Sequence, residues 1–413
     1  MTRSGRFILT ALAALGFGCS EPEPVLRVQL RVPLYSYIPD AAGDSFQGLS
    51  ARIEQEFERE HPEVDLVVNP SCFKDDLYDP GALALSLRGE GECPYEVVEV
   101  DTLLLGELAD TGALRAWPRL PQDVAWHPAS VTASTWQGTL YGIPHWMCSH
   151  YILTRDAEAA QADTVSELLR ALAARQTPEP DVTGNLYGSW NLPAIYLDAW
   201  ADTHGAQEVA GALTADQYDA ATLQSLRAFS RACQTPSGNP CLDGTYDTLE
   251  DFDTPARLFA QGKADALFGY SERLHTVLRN LPPSENRGAL KLSIATLGEG
   301  DRPLLFTDSF VLSARCTGRC EQAALAFTEY MSRASTFAWL LMSEDAPAQT
   351  RVPRYLMAAS LEAYDVPALR EDPYFPVIAA ESRDGTPFPN GGMLGLRWKM
   401  HEDLQRALTA PGP

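Results

Sequence analysis

Beyond its opening residues the chain has no apolar run long enough to cross a bilayer, so no spanning helix is expected after the first eighteen. Positive charge is in short supply: 32 Lys and Arg stand against 55 Asp and Glu, a net −23. That balance excludes nucleic acid and anionic lipid as electrostatic partners. It permits a cationic small ligand. Histidine is scarce at seven, and no cysteines stand with it at zinc-ligand spacing, so no metal is expected. No glycine loop of the phosphate-cradling kind occurs, and no cofactor is expected. Low-complexity tracts and internal repeats are also missing. An ordinary globular composition with 45% hydrophobic residues remains.

The apolar stretch that does exist lies at the start. Arg3 and Arg6 precede an apolar segment, residues 7–15, and Gly16 and Gly18 flank Phe17 before Cys19. Residues 1–18 read as a signal peptide and Cys19 as the lipidated first residue of a bacterial lipoprotein, with residues 19–25 as a polar tether. The plainer alternative is a secreted protein cut near the same place. Either way the chain is exported, and a membrane would hold it only through the N-terminal lipid, facing the periplasm or the extracellular space.

Of the eight cysteines, seven remain once Cys19 is set aside. Six form couples close in sequence: Cys72 with Cys93, Cys233 with Cys241, and Cys316 with Cys320. Proximity suggests these disulfides among the many connectivities that seven cysteines allow. Cys148 is left over, in Tyr141-Gly-Ile-Pro-His-Trp-Met-Cys148-Ser-His150. An unpaired thiol in an exported protein is a candidate nucleophile. Its rival role is a small buried hydrophobe.

About 390 residues exceed one hydrophobic core and predict two lobes. Leu26, Val28, Leu30, Val32 and Leu34 alternate as in a strand, and Phe46, Leu49, Ile53 and Phe57 follow at helical spacing. Residues 64–68 form a second strand, and residues 97–100 a third that ends at Asp101. Strand, helix and strand with a long crossover imply a parallel sheet covered by helices. Further on, Thr164 and Glu167 form a capping box. Helices are predicted around Leu223–Phe229 spacing, at 256–261 and at 321–332, with strands at 264–270 and 303–306. From Ser343 onward the chain reads as largely helical, with irregular Pro- and Gly-rich interruptions. Such an α/β chain looks like a two-lobed solute-binding protein, with chain crossings expected near residues 144–149 and 306–310 and a ligand cleft between the lobes.

Four segments resemble thiaminase I, an enzyme family built on the bacterial extracellular solute-binding, periplasmic-binding-protein-like fold. They are Val32-Pro-Leu-Tyr35-Ser-Tyr37-Ile-Pro-Asp40, the Cys148 segment, Phe259-Ala-Gln-Gly-Lys-Ala-Asp-Ala-Leu-Phe-Gly-Tyr270-Ser-Glu272, and Leu305-Phe-Thr-Asp308. The resemblance implies lobes at 26–147 plus 307–343 and at 148–306 plus 344–413. It implies that Cys148 attacks C6 of the thiamin pyrimidine and expels the thiazole, after which an amine or thiol takes its place. Glu272 would be the base, because a thiol near pKa ~8.5 is only a few per cent ionised at neutral pH. Asp101 and Asp308 would meet the aminopyrimidine and the thiazolium charge. Tyr35, Tyr37 and Tyr270 would flank the flat pyrimidine, with Trp146 as a further wall. Each of these residues also has a structural role open to it, as a turn, cap or core residue.

His145 and His150 flank Cys148, but neighbours in an extended segment seldom point at one another, so they rank below Glu272. Phe306 stands where a tyrosine is expected, and Trp190 falls outside the secure resemblance. The partners implied are thiamin or an analogue and a nucleophilic co-substrate, acted on by a monomer. The competing readings are a non-catalytic lipoprotein feeding an ABC transporter with thiamin, a pyrimidine or a sugar, and another cysteine-dependent transferase or hydrolase.

Overall fold

The computed structural model describes residues 27–74, 77–175, 180–247, 252–300 and 302–410. The signal peptide and Cys19 expected from the sequence lie outside them. The alternating opening segment becomes the strand Val28–Val32, which pairs in parallel with Val64–Val68. Between them runs the helix Gln47–Glu60, which buries Leu49, Ile53 and Phe57. Each such side chain contributes about 1.5–3 kcal/mol by leaving water. Backbone hydrogen bonds from Glu96 and Glu99 to the carbonyls of Arg31 and Pro33 attach this pair to the strand Val97–Asp101.

Two larger sheets organise the rest. In the six-stranded one, the strand Leu304–Ser313 is central, antiparallel both to Val97–Asp101 and to Gly142–Cys148. The four-stranded one orders Lys291–Ile294, His150–Thr154, Ala266–Tyr270 and Val182–Gly184. Helices cover both. Two strands that follow each other in sequence, Gly142–Cys148 and His150–Thr154, therefore belong to different sheets, with the buried Ser149 as the entire connection.

The sequence placed a second crossing at 306–310, and the structure places it upstream. The chain leaves the four-stranded sheet at Ile294 and joins the other at Leu304. All ten residues of Leu304–Ser313 are buried. The sequence pattern ends this strand at residue 306, yet Thr307, Asp308 and Ser309 continue it in the interior, where the Ser309 hydroxyl meets that of Ser134 at 2.7 Å. The last third is helical with irregular interruptions, as its proline and glycine content suggested. It carries the helices Phe375–Glu381 and Met393–Thr409, and a short strand, Met357–Ala358, returns to pair with Met147 and Trp146. The capping box forms in part: Thr164 caps the Glu167 amide at 3.2 Å, while Glu167 accepts from Asp163 rather than from the capping residue.

Candidate active site

A cavity of about 660 Å³ lies between the two sheets. Its walls take Phe306, Asp308 and Cys148 from the six-stranded sheet, and His150, Phe268 and Tyr270 from the four-stranded one. Cys148 ends its strand opposite Phe306 and is partly exposed, toward this space. The other six cysteines of the described chain form the three expected disulfides, Cys72–Cys93, Cys233–Cys241 and Cys316–Cys320, leaving Cys148 as a free thiol.

Glu272 enters the cavity two residues after the strand Ala266–Tyr270, at the head of the helix Arg273–Asn280. It makes no capping bond, and its buried Oε2 has no hydrogen-bond partner among the described residues. Burial raises its pKa, opposed by the adjoining Arg273 guanidinium. Burial also pushes the Cys148 thiol well above its usual range, and the charges of Asp308, Glu272 and Asp101 add to the effect. At rest the sulfur is therefore protonated. A buried carboxylate with an uncommitted oxygen is suited to take that proton.

Asp101 and Asp308 are direct partners across the antiparallel strands. Asp101 Oδ1 accepts from the Leu103 amide at 3.0 Å and Oδ2 from the Tyr78 hydroxyl at 3.2 Å. Burial lifts Asp101 to about 7 against those two bonds. Asp308 is driven well above the carboxylate range by burial, then by the charge of Asp101. Two carboxyls this close resist ionising together. A cationic ligand would relieve them.

Tyr35 and Tyr37 line the same space with rings 5.3 Å apart, and Tyr270 lies on the opposite sheet. Trp146 does not line it. One extra residue in the cysteine strand, His145, bulges between the partners of Asp308 and Ser309, and the Trp146 ring packs into the core 5.3 Å from Phe337. A large apolar ring gains more there than at a wet wall, so its expected part in the site is corrected. His145 is likewise committed to the core, where its Nδ1 bonds Glu99, whose other oxygen holds the Tyr35 amide at 2.9 Å.

Two wall residues, Tyr78 and Arg397, escaped the sequence reading, and a third, Trp190, was named there without a role. Tyr78 bonds the Tyr35 hydroxyl at 2.6 Å. Trp190 lies 5.1 Å from the Tyr78 ring and carries the Arg397 guanidinium 3.9 Å from its own. Aromatics in loops beside glycine, as in Gly188-Ser-Trp190, were the available signal. Among the described residues, no group of three or more His, Cys, Asp or Glu side chains is arranged to hold a metal ion.

Two lobes closing on a cavity define a solute-binding protein, and residues 55–364 match the family of bacterial extracellular solute-binding proteins. The chain belongs to that family. Within it, the chain is similar to Thiaminase-1 of Paenibacillus thiaminolyticus, at 25% identity over 383 residues, 88% of this chain and 83% of that protein. The fold is shared with thiaminase I from Bacillus thiaminolyticus (20% identity, TM-score 0.69, covering 92% of this chain and 99% of that one). It is also shared with Clostridium botulinum thiaminase I in complex with thiamin (16% identity, TM-score 0.71, covering 92% and 98%).

Proposed function

We propose that the chain is a thiaminase I-like transferase that cleaves thiamin through Cys148 and passes the pyrimidine to an amine or thiol. The observation that carries this reading is that the free thiol and the uncommitted Glu272 carboxyl line one cavity, from its two facing sides. Glu272 takes the thiol proton and the sulfur adds to C6 of the pyrimidine. The electron pair moves to the methylene carbon and the bond to the cationic thiazole breaks, releasing neutral thiazole. An acceptor then attacks the methylene, and the sulfur departs. Asp101 and Asp308 receive the aminopyrimidine and balance the positive ring, while Tyr35, Tyr37 and Tyr270 enclose the flat pyrimidine. The three disulfides suit an exported protein, here one held by lipid at Cys19.

Incubation with thiamin and aniline tests the reading by release of free thiazole. Cys148→Ser should abolish release while thiamin still binds. Thiamin exposed to the protein without an acceptor should leave a pyrimidine-sized mass on Cys148. Binding of thiamin with no thiazole release by the unaltered protein would instead mark a carrier.

A further inference from the structure

His150 has surroundings that the thiol–carboxyl pair does not explain. It begins the strand after the crossing, is 2% exposed and lines the cavity. Its Nδ1 lies 2.8 Å from Asp198 Oδ2, on the helix Asn191–His204. Asp198 is itself 2% exposed, and its Oδ1 accepts from the Leu304 amide at 3.2 Å. The ring is held between neighbours on the facing strand, 5.0 Å from Phe268 and 4.9 Å from Tyr270, with Phe306 edge-on at 5.6 Å. A carboxylate that accepts from Nδ1 fixes the neutral tautomer whose Nε2 carries a lone pair. Charged or titratable groups near it include Asp198 on the helix Asn191–His204, Tyr270 on the paired strand, Glu272 beyond that strand and Cys148 two residues back.

Proton accounting supplies the need. A thiamin cation and an acceptor bearing an N–H bond give a pyrimidinylmethyl amine, a neutral thiazole and one free proton. Glu272 receives the thiol's proton and returns it to sulfur when the S–C6 bond breaks. The proton lost from the acceptor nitrogen needs a second base. On the transferase reading above, we infer that His150 is that base, a catalytic residue for N–H acceptors, with Asp198 as the positioning residue that aims it. An acceptor without an N–H, such as pyridine, forms a pyridinium product and sheds no proton, so it makes no demand on His150.

The test compares transfer to aniline and to pyridine by the full-length protein. In His150→Asn the aniline-to-pyridine rate ratio should fall by roughly 10²–10⁴-fold, the span of one general base. In Asp198→Asn it should fall in the same direction by about tenfold or more, a change that a purely structural role would not produce. His150→Gln serves the same comparison if the asparagine variant does not fold. An unchanged ratio with thiazole release intact overturns the role of His150 alone. No thiazole release from the unaltered protein overturns the transferase reading instead.

Discussion

A thiol lifted by burial and by Asp308, Glu272 and Asp101 keeps its proton at neutral pH, so its reactivity depends on what removes that proton. Glu272→Gln keeps the shape of the side chain and deletes the acceptor. Thiazole release should slow by roughly 10²–10⁴-fold in single turnovers, with thiamin binding retained. Asp308→Asn should weaken thiamin binding by about 1.5–3 kcal/mol, the range for a hydrogen bond to a charged group, as read by calorimetry on a Cys148→Ser background. Asp101 gives a pH signature. Its folded value of about 7 lies above the ordinary ~3.9, so the folded chain holds a proton that the unfolded chain has released. The stability this contributes is complete below about pH 4 and is lost as the pH rises through 7. Thermal unfolding followed across that window should decline, and Asp101→Asn should flatten the decline.

At the level of elements, the strand Leu304–Ser313 bears on both sheet and site. Gly142 faces it so closely that a Cβ there would come 2.7 Å from Ser309 Cβ. Gly142→Ala should therefore destabilise the fold by about 1–3 kcal/mol in urea titrations, as overpacking does. This strand also shows where sequence reading stops. Val28–Val32 and Gln47–Glu60 were legible because one face of each is apolar and the other polar. Thr307, Asp308 and Ser309 broke the apolar pattern because the interior they enter is partly a cavity wall and partly a hydroxyl contact. Trp146 was misplaced because the His145 bulge changes which side chains face the cavity, and the one-letter string does not show a bulge. Tyr78, Trp190 and Arg397 meet only through tertiary folding, across more than three hundred residues of sequence. Cys148, Glu272 and Asp308 stood in the resembling segments and Asp101 at the end of a predicted strand, and the cavity lining includes all four.

For the whole molecule, a ligand bound between the sheets ties them together, and binding to the folded state alone must raise stability. With Cys148→Ser, where thiamin is not consumed, the unfolding temperature should climb with thiamin concentration. The gain should reach about 2.7 kcal/mol at a hundred times the dissociation constant. A flat response would mean that thiamin does not bind the folded chain.

The lone residue Ser149 between the two sheets has a mechanical consequence. Sulfur travels with one jaw, while Glu272 and His150 travel with the other. On the proposed mechanism, any swing about that joint would change the spacing between Cys148 and the two bases at once, so closure itself would set reactivity. In an ajar molecule the thiol would stay protonated and idle, and so poorly reactive toward stray oxidants. On that reading, clasping a substrate would be what arms it.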